Sequence, residues 1–116
     1  MVKKIKACVF ISGKGSNLLS LIKSSKSYKF PIKIELVISN KKNANGLKFA
    51  KKYSIPYKVF SSNNKKIFER KSLFILKKKK IRFICLAGFM KILSQNFIKN
   101  FRYKVINIHP SLLPKY

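Results

Sequence analysis

The sequence predicts an α/β fold in which helices cover both faces of an open parallel sheet. Five short apolar segments alternate with helix-like segments, and glycine-containing or polar turns separate them. Hydrophobic residues make up 47% of the 116 residues, enough for one modest core. The chain shows no internal repeat, low-complexity linker or shift in composition. We therefore expect a single domain over residues 1–116.

The predicted strands are apolar runs bounded by turn residues. They are expected at residues 6–12, 32–39, 55–60, 81–87 and 103–108. The first run ends at a glycine turn, and its continuous apolar character is typical of a parallel strand buried on both faces. The third is expected to be short and near an edge of the sheet, because Pro56 cannot donate a ladder hydrogen bond.

The predicted helices show apolar residues at helical spacing. They are expected at residues 18–22, 47–53, 67–76 and 92–98. Ser16 or Asn17 is the expected N-cap of the first helix, because short polar side chains accept hydrogen bonds from a helix N-terminus. Ser94 lies near the expected start of the fourth helix. Strand and helix alternation of this kind favours right-handed parallel crossovers.

The chain is strongly basic, with 28 Lys and Arg residues against two acidic ones and a formal net charge of +26. Such a field attracts phosphates at long range, so a basic nucleic-acid-binding module is one interpretation. Only Arg70, Arg82 and Arg102 are arginine, the residue that dedicated nucleic-acid surfaces use for bidentate contacts. Because the lysines also spread over the whole chain, we expect no specific nucleic-acid partner.

Cys8 and Cys85 lie in separate apolar runs without a partner motif, which indicates buried, reduced thiols in a cytoplasmic protein. The apolar stretch near the start of the chain is too short for a secretory signal. No apolar run is long enough to span a membrane, so no membrane partner is expected. The sequence leaves the oligomeric state open.

A glycine-rich turn at residues 13–17, Gly-Lys-Gly-Ser-Asn, joins the first strand to the first helix. Ligands of open α/β sheets bind outside the carboxyl ends of the strands. Glycines let the backbone approach a ligand, and a helix N-terminus offers free N–H groups to an anion. The pattern is neither Gly-x-Gly-x-x-Gly nor a Walker motif, so it favours one phosphate over a dinucleotide or a nucleoside triphosphate. The alternative is a tight turn that binds nothing.

A second candidate region follows the fourth strand. Its apolar residues run into Gly88 and then into Phe89 and Met90, which we expect to be exposed. One interpretation is a slot, lined by apolar side chains and backbone, for a flat heterocycle. The alternative is ordinary packing in the core.

The third candidate is the pair Asn107 and His109 at the end of the fifth strand. Residues two apart on a strand point to the same side, so the amide and the imidazole would face one reaction centre. Asparagine can stabilise an oxyanion, and histidine can transfer a proton near neutral pH. One histidine, two isolated cysteines and no aspartate provide no ligand set for a metal, so none is expected.

Together, three segments resemble the phosphoribosylglycinamide formyltransferase family. They are residues 11–18 (Ile-Ser-Gly-Lys-Gly-Ser-Asn-Leu), 87–94 (Ala-Gly-Phe-Met-Lys-Ile-Leu-Ser) and 107–114 (Asn-Ile-His-Pro-Ser-Leu-Leu-Pro). The resemblance covers all 116 residues in order, and the third segment is highly specific to folate formyltransferases. It implies a Rossmann-like sheet and transfer of a formyl group from 10-formyltetrahydrofolate to glycinamide ribonucleotide, N1-(5-phospho-D-ribosyl)glycinamide, in de novo purine (IMP) biosynthesis. These two small molecules are the implied partners.

The resemblance also implies roles for individual residues. The ribose phosphate of the substrate would be bound by Gly15, Ser16 and Asn17. The folate would be bound by Lys65, Met90, Lys91, Ile92, Leu93 and Asn107. His109 matches the catalytic proton donor, and Asn107 matches the residue that polarises the formyl oxygen. Lys65 and Lys91 stand where the family commonly has arginine; lysine keeps the charge and loses the planar fork.

One departure from the family is an absent carboxylate. The family has a catalytic aspartate in its C-terminal half, and this chain contains no aspartate. The resemblance therefore implies that residues 1–116 are the N-terminal α/β part of the family and that the C-terminal half is absent. Because loss of one member of a catalytic group can cost about 10³- to 10⁴-fold in rate, the alternative is an inactive, phosphate-binding remnant.

Overall fold

Five parallel strands form one sheet in the order β3-β2-β1-β4-β5, with β1 at its centre. A computed structural model of the chain describes residues 3–108. The strands are β1 (Ile5–Ile11), β2 (Ile32–Ser39), β3 (Tyr57–Val59), β4 (Phe83–Leu86) and β5 (Lys104–Asn107). All four pairings between neighbours are parallel, which confirms the predicted sheet and the edge position of β3.

Across residues 3–108, four helices connect the strands and cover the two faces of the sheet. They are α1 (Ser16–Ser25), α2 (Leu47–Lys52), α3 (Lys65–Lys78) and α4 (Gln95–Phe101). Alternate residues of β1 face opposite sides: Val9 packs with α1 and α2, whereas Phe10 packs with α3 and α4. Both predicted helix layers are therefore present. Within residues 3–108, none of the helices has the length and apolar character needed to cross a membrane.

The direction of the chain reverses between β1 and β4. From β1 the chain proceeds through β2 to the edge strand β3, and then returns to the other side of β1 with β4 and β5. The loops that follow β1 and β4 therefore leave the sheet in opposite directions. In an open α/β sheet this reversal opens a crevice at the carboxyl ends of the two strands, where ligands bind.

The predicted side-chain N-cap of α1 is wrong. Gly15 occupies the cap position with φ 84°, Ser16 is the first helical residue, and no side chain caps this end of the helix. A φ in the left-handed region favours glycine because it carries no Cβ. The polar side chains of Ser16 and Asn17 therefore belong to the first turn of α1 and do not precede it.

Two other helix starts differ from the prediction because of polar caps. The helix expected from residue 92 begins at Gln95, where the Ser94 hydroxyl accepts from the Phe97 N–H at 3.0 Å. The third helix begins at Lys65 and not at residue 67, because the Asn64 side chain accepts from the N–H groups of residues 66 and 67. Each cap satisfies backbone donors that the apolar pattern alone does not reveal.

Glu69, one of only two acidic residues in the chain, ties α3 to the start of α4. Its carboxylate is 8% exposed. One carboxylate oxygen accepts from the Ser94 backbone N–H at 2.7 Å, and the other accepts from the Ser94 hydroxyl at 2.6 Å. Because the same hydroxyl caps α4, Glu69 fixes both the position and the first turn of that helix.

The two cysteines are buried and free, as expected. They lie on neighbouring strands, but Cys8 packs with α3 and α4 whereas Cys85 belongs to the opposite core layer. Burial raises the pKa of the Cys85 thiol to about 12. Two effects raise the pKa of the Cys8 thiol well above its usual range: burial is the larger, and the nearby Cys85 is the smaller. Both therefore remain neutral thiols at physiological pH.

We expect Ser94→Ala to lower the free energy of unfolding by about 1–3 kcal/mol, because it removes a helix cap and a partner of a buried carboxylate. Ser72→Ala is the matched control: the Ser72 hydroxyl is fully buried and has no hydrogen-bond partner among residues 3–108. The control should lose no stability, because it removes an unsatisfied polar group. Urea unfolding measures both values, and equal losses in the two variants would contradict the assignment.

We also expect neither thiol to react with a thiol-specific reagent in the folded protein at neutral pH. Thiolate is the reactive form, and burial suppresses both thiolate formation and access. In urea, where the cysteines regain a pKa of about 8.5, both should react rapidly. Stoichiometric labelling followed by absorbance tests this, and rapid labelling of either cysteine without denaturant would disprove the burial.

Candidate functional site

The carboxyl edge of the sheet brings the three candidate segments together. Phe10 of β1 pairs with Leu86 of β4, and Leu86 pairs with Asn107 of β5. The Ala87 N–H donates to the Phe10 carbonyl, and the Ile108 N–H donates to the Leu86 carbonyl, each at 2.9 Å. The ends of the three strands are therefore level with one another. Asn107 lies on this edge and is exposed, whereas His109 lies outside the described residues.

Residues 13–17 form the turn from β1 into α1. Gly15 is buried, and its carbonyl accepts from the Leu19 N–H at 2.8 Å, while Ser16 is exposed and Asn17 is half-buried. No side chain caps the start of α1, so the first backbone N–H groups of this helix remain available to a ligand. A helix N-terminus of this kind attracts anions through its N–H groups and its dipole.

A second turn, residues 43–46, supports this glycine turn. The Gly46 N–H donates to the Gly13 carbonyl at 2.9 Å. A Cβ added to Gly15 would lie 2.3 Å from the Gly46 Cα, and one added to Gly46 would lie 2.9 Å from the Gly15 Cα. The two backbones therefore touch only because both residues are glycine. Nothing in the local sequence of residues 43–46 indicates which segment they contact.

A buried hydroxyl connects the ends of three strands. Ser12, which follows β1, is 3% exposed, and Asn40, which follows β2, is 8% exposed. The Ser12 hydroxyl donates to Asn40 Oδ1 at 2.6 Å and accepts from the Met90 backbone N–H at 2.8 Å. The loop after β4 is thereby attached to β1 and β2. Sequence analysis missed this role of Ser12 and Asn40, since short polar residues at strand ends are common in turns.

Residues 88–94 divide into a buried and an exposed part. Phe89 was predicted to be exposed, but it is half-buried. The centroid of its ring lies 5.3 Å from that of Phe10 and 5.6 Å from that of Phe68, on which the Phe89 ring stacks. Met90 and Ile92 are instead 74% and 83% exposed. The aromatic ring therefore anchors the segment to the core, and two apolar side chains face solvent at the edge of the crevice.

A narrow cleft brings together most of the predicted folate residues. Its lining consists of Asn40, Ser62, Asn63, Lys65, Phe68, Glu69, Lys91, Ile92 and Leu93. Met90 and Asn107 lie outside this lining. The cleft volume is about 10 Å³, close to the space needed for one water molecule. A bicyclic heterocycle is much larger than this cleft, so the cleft does not enclose one in this structure.

Two other features delimit the site. A larger cavity of about 830 Å³ lies beside β3 and is lined by residues such as Tyr57 and Lys58. It contains none of the predicted site residues, so cavity size alone does not locate the chemistry. In the part of the chain that the structure describes, no three His, Cys, Asp or Glu side chains are arranged to hold a metal ion.

Sequence comparisons identify relatives along almost the whole chain. Residues 5–116 match the formyl transferase family. The chain is 45% identical to a phosphoribosylglycinamide formyltransferase of Haemophilus influenzae over 115 residues, which cover 96% of this chain and 54% of that protein. It is 41% identical over 116 residues to the trifunctional purine biosynthetic protein adenosine-3 of Gallus gallus, covering 97% of this chain and 12% of the relative.

Solved structures show the same fold. The structure of a phosphoribosylglycinamide formyltransferase from Brucella melitensis superposes with a TM-score of 0.86 at 39% identity, over 98% of this chain and 61% of that one. The corresponding protein from Anaplasma phagocytophilum gives a TM-score of 0.80 at 40% identity, over 98% of this chain and 53% of that one. The chain thus spans about half to three-fifths of these bacterial relatives. By sequence and by structure, the chain belongs to the formyl transferase family.

Proposed function

We propose that the chain takes part in the transfer of a formyl group from 10-formyltetrahydrofolate to the amine of glycinamide ribonucleotide, a step of de novo purine (IMP) biosynthesis. One observation carries the proposal. Residues 13–17, residues 88–94 and Asn107 meet at the carboxyl edge where the strand order reverses. A glycine turn, an apolar surface and an amide lie around one crevice, and this arrangement supports a transfer between two substrates.

The phosphate of glycinamide ribonucleotide is assigned to Gly15, Ser16 and Asn17. The uncapped N-terminus of α1 supplies backbone donors, and the turn has no acidic residue to repel an anion. The contact between Gly15 and Gly46 holds this turn in place before the ligand arrives. Such preorganisation lowers the cost of binding.

The formyl donor is assigned to the opposite side of the crevice. The exposed Met90 and Ile92 offer apolar area to a flat heterocycle, and Leu93 lines the cleft beneath them. Lys65 and Lys91 line the same cleft and carry positive charge, which suits the carboxylates of a folate. Because the cleft is too small to enclose the heterocycle, the donor is assigned to its rim, against the exposed Met90 and Ile92.

The proposed chemistry is direct transfer. The substrate amine attacks the formyl carbon and forms a new C–N bond, and the carbonyl oxygen becomes an oxyanion that the Asn107 amide stabilises by donating a hydrogen bond. The tetrahedral intermediate then breaks the bond between the carbon and N10 of the folate. His109 donates a proton to N10, and the attacking amine releases one to solvent water, so the protons balance. No metal is needed for this step.

The remnant alternative makes a different prediction for the same chain. The sequence has no aspartate to orient His109, and an imidazole without such a partner is less well fixed. A remnant would bind glycinamide ribonucleotide at Gly15, Ser16 and Asn17 and would not turn it over. Calorimetry with each substrate, combined with a formyl-transfer assay, separates the two.

We expect formyl transfer by the chain to fall by about 10³-fold or more in His109→Ala, because the proton donor is lost. Calorimetric binding of glycinamide ribonucleotide should stay unchanged in the same variant, which controls for folding. Unchanged turnover in His109→Ala would remove the assigned role. Binding of the ribonucleotide without any transfer by the wild-type chain would instead favour the remnant.

We expect Gly46→Ala to weaken binding of glycinamide ribonucleotide by about tenfold or more, because the new Cβ would displace the Gly15 backbone. Gly13→Ala is the matched control in the same turn, since a Cβ there meets nothing within 4 Å. Its affinity should stay within about twofold of the wild type. Equal affinities in the two variants, measured by calorimetry, would disprove the supporting role of Gly46.

A further inference from the structure

We propose that Ser12 is a positioning residue for the formyl donor: its hydroxyl fixes residues 88–94 against the ends of β1 and β2. That the formyl donor is the ligand of this segment rests on the proposed function above. That hydrogen bonds hold the segment in place is seen directly in the structure. Ser12 itself makes no assigned contact with either substrate.

The Ser12 hydroxyl makes two hydrogen bonds, one as a donor and one as an acceptor. It donates to Asn40 Oδ1 and accepts from the Met90 N–H. Ser12 and Asn40 are each more than nine-tenths buried. Met90 is 78 residues away in sequence, so this bond joins two distant parts of the chain. The bond to Asn40 is buried and the bond to Met90 is partly buried, and polar groups in such places are costly to leave unpaired.

The segment is held at both of its ends. Ser12 holds the Met90 N–H at the start, and the Glu69 carboxylate holds the Ser94 N–H and hydroxyl at the end. Between these two points lies Ile92, which is exposed and packs against little of the core. The two polar anchors therefore hold the backbone at the ends of the segment, while Phe89 and Leu93 pack against the core.

The anchor at Ser12 is separate from the support of the phosphate turn. That turn rests on Gly46, through the Gly13 carbonyl and the close contact at Gly15, and none of these contacts uses the Ser12 hydroxyl. Removing the hydroxyl leaves the Met90 N–H and the Asn40 oxygen without their partner. Met90 can regain a partner only from water, by moving outward. The effect therefore falls on the donor segment and not on the phosphate turn.

The test compares Ser12→Ala with Ser72→Ala, the same substitution at a buried serine that has no hydrogen-bond partner among the described residues. Three quantities are measured for each: hydrogen exchange of the Met90 amide, and calorimetric affinities for 10-formyltetrahydrofolate alone and glycinamide ribonucleotide alone. In Ser12→Ala we expect Met90 exchange to accelerate and donor affinity to fall, each by about tenfold or more, while ribonucleotide affinity stays within about twofold. Ser72→Ala should change none of the three.

Unchanged Met90 exchange in Ser12→Ala would overturn the proposal, as would faster exchange with unaltered donor affinity. Equal losses of affinity for both substrates would also overturn it, because they would indicate a general structural defect. If the wild-type protein bound neither substrate, the proposed function would fail and the donor role of Ser12 with it. The exchange experiment would then still show whether Ser12 holds the segment.

Discussion

Burial of β1 on both faces is the constraint on which the rest of the structure depends. Residues 7–11 are completely inaccessible to solvent, and alternate side chains enter the two core layers. A strand of this kind needs helices above and below it, and parallel crossovers provide them. Because the crossovers proceed first to one side and then to the other, the loops that follow β1 and β4 leave the sheet in opposite directions and a crevice opens between them.

Two kinds of contact shape that crevice, and they differ in physical character. The glycine turn is placed by steric contact, since the backbones of Gly15 and Gly46 approach more closely than any side chain would allow. The loop after β4 is placed by buried polar groups, with Ser12 at one end and Glu69 at the other. In a chain of net charge +26, a carboxylate committed to a backbone N–H has a structural task that the abundant lysines cannot perform.

Sequence pattern predicted the elements well where apolar residues dominate. The bounds of β2 agree with the prediction, and β3 is the short edge strand that its proline indicated. The predicted starts of α3 and α4 were wrong for one reason: a helix begins where its first donors find partners, and apolar spacing does not record those partners. The prediction that Phe89 is exposed was wrong, because its ring packs against aromatic rings on β1 and α3.

The sequence by itself determined the fold class, the family, and the three segments that carry the candidate chemistry, because periodicity and short motifs are local properties of the chain. Only the tertiary structure decided how those segments are held. The contact of Gly15 with Gly46, the bond from Met90 to Ser12 and the bonds from Ser94 to Glu69 all join residues far apart in sequence. Such partners are chosen by the packing of strands and helices in three dimensions, and no local pattern encodes them.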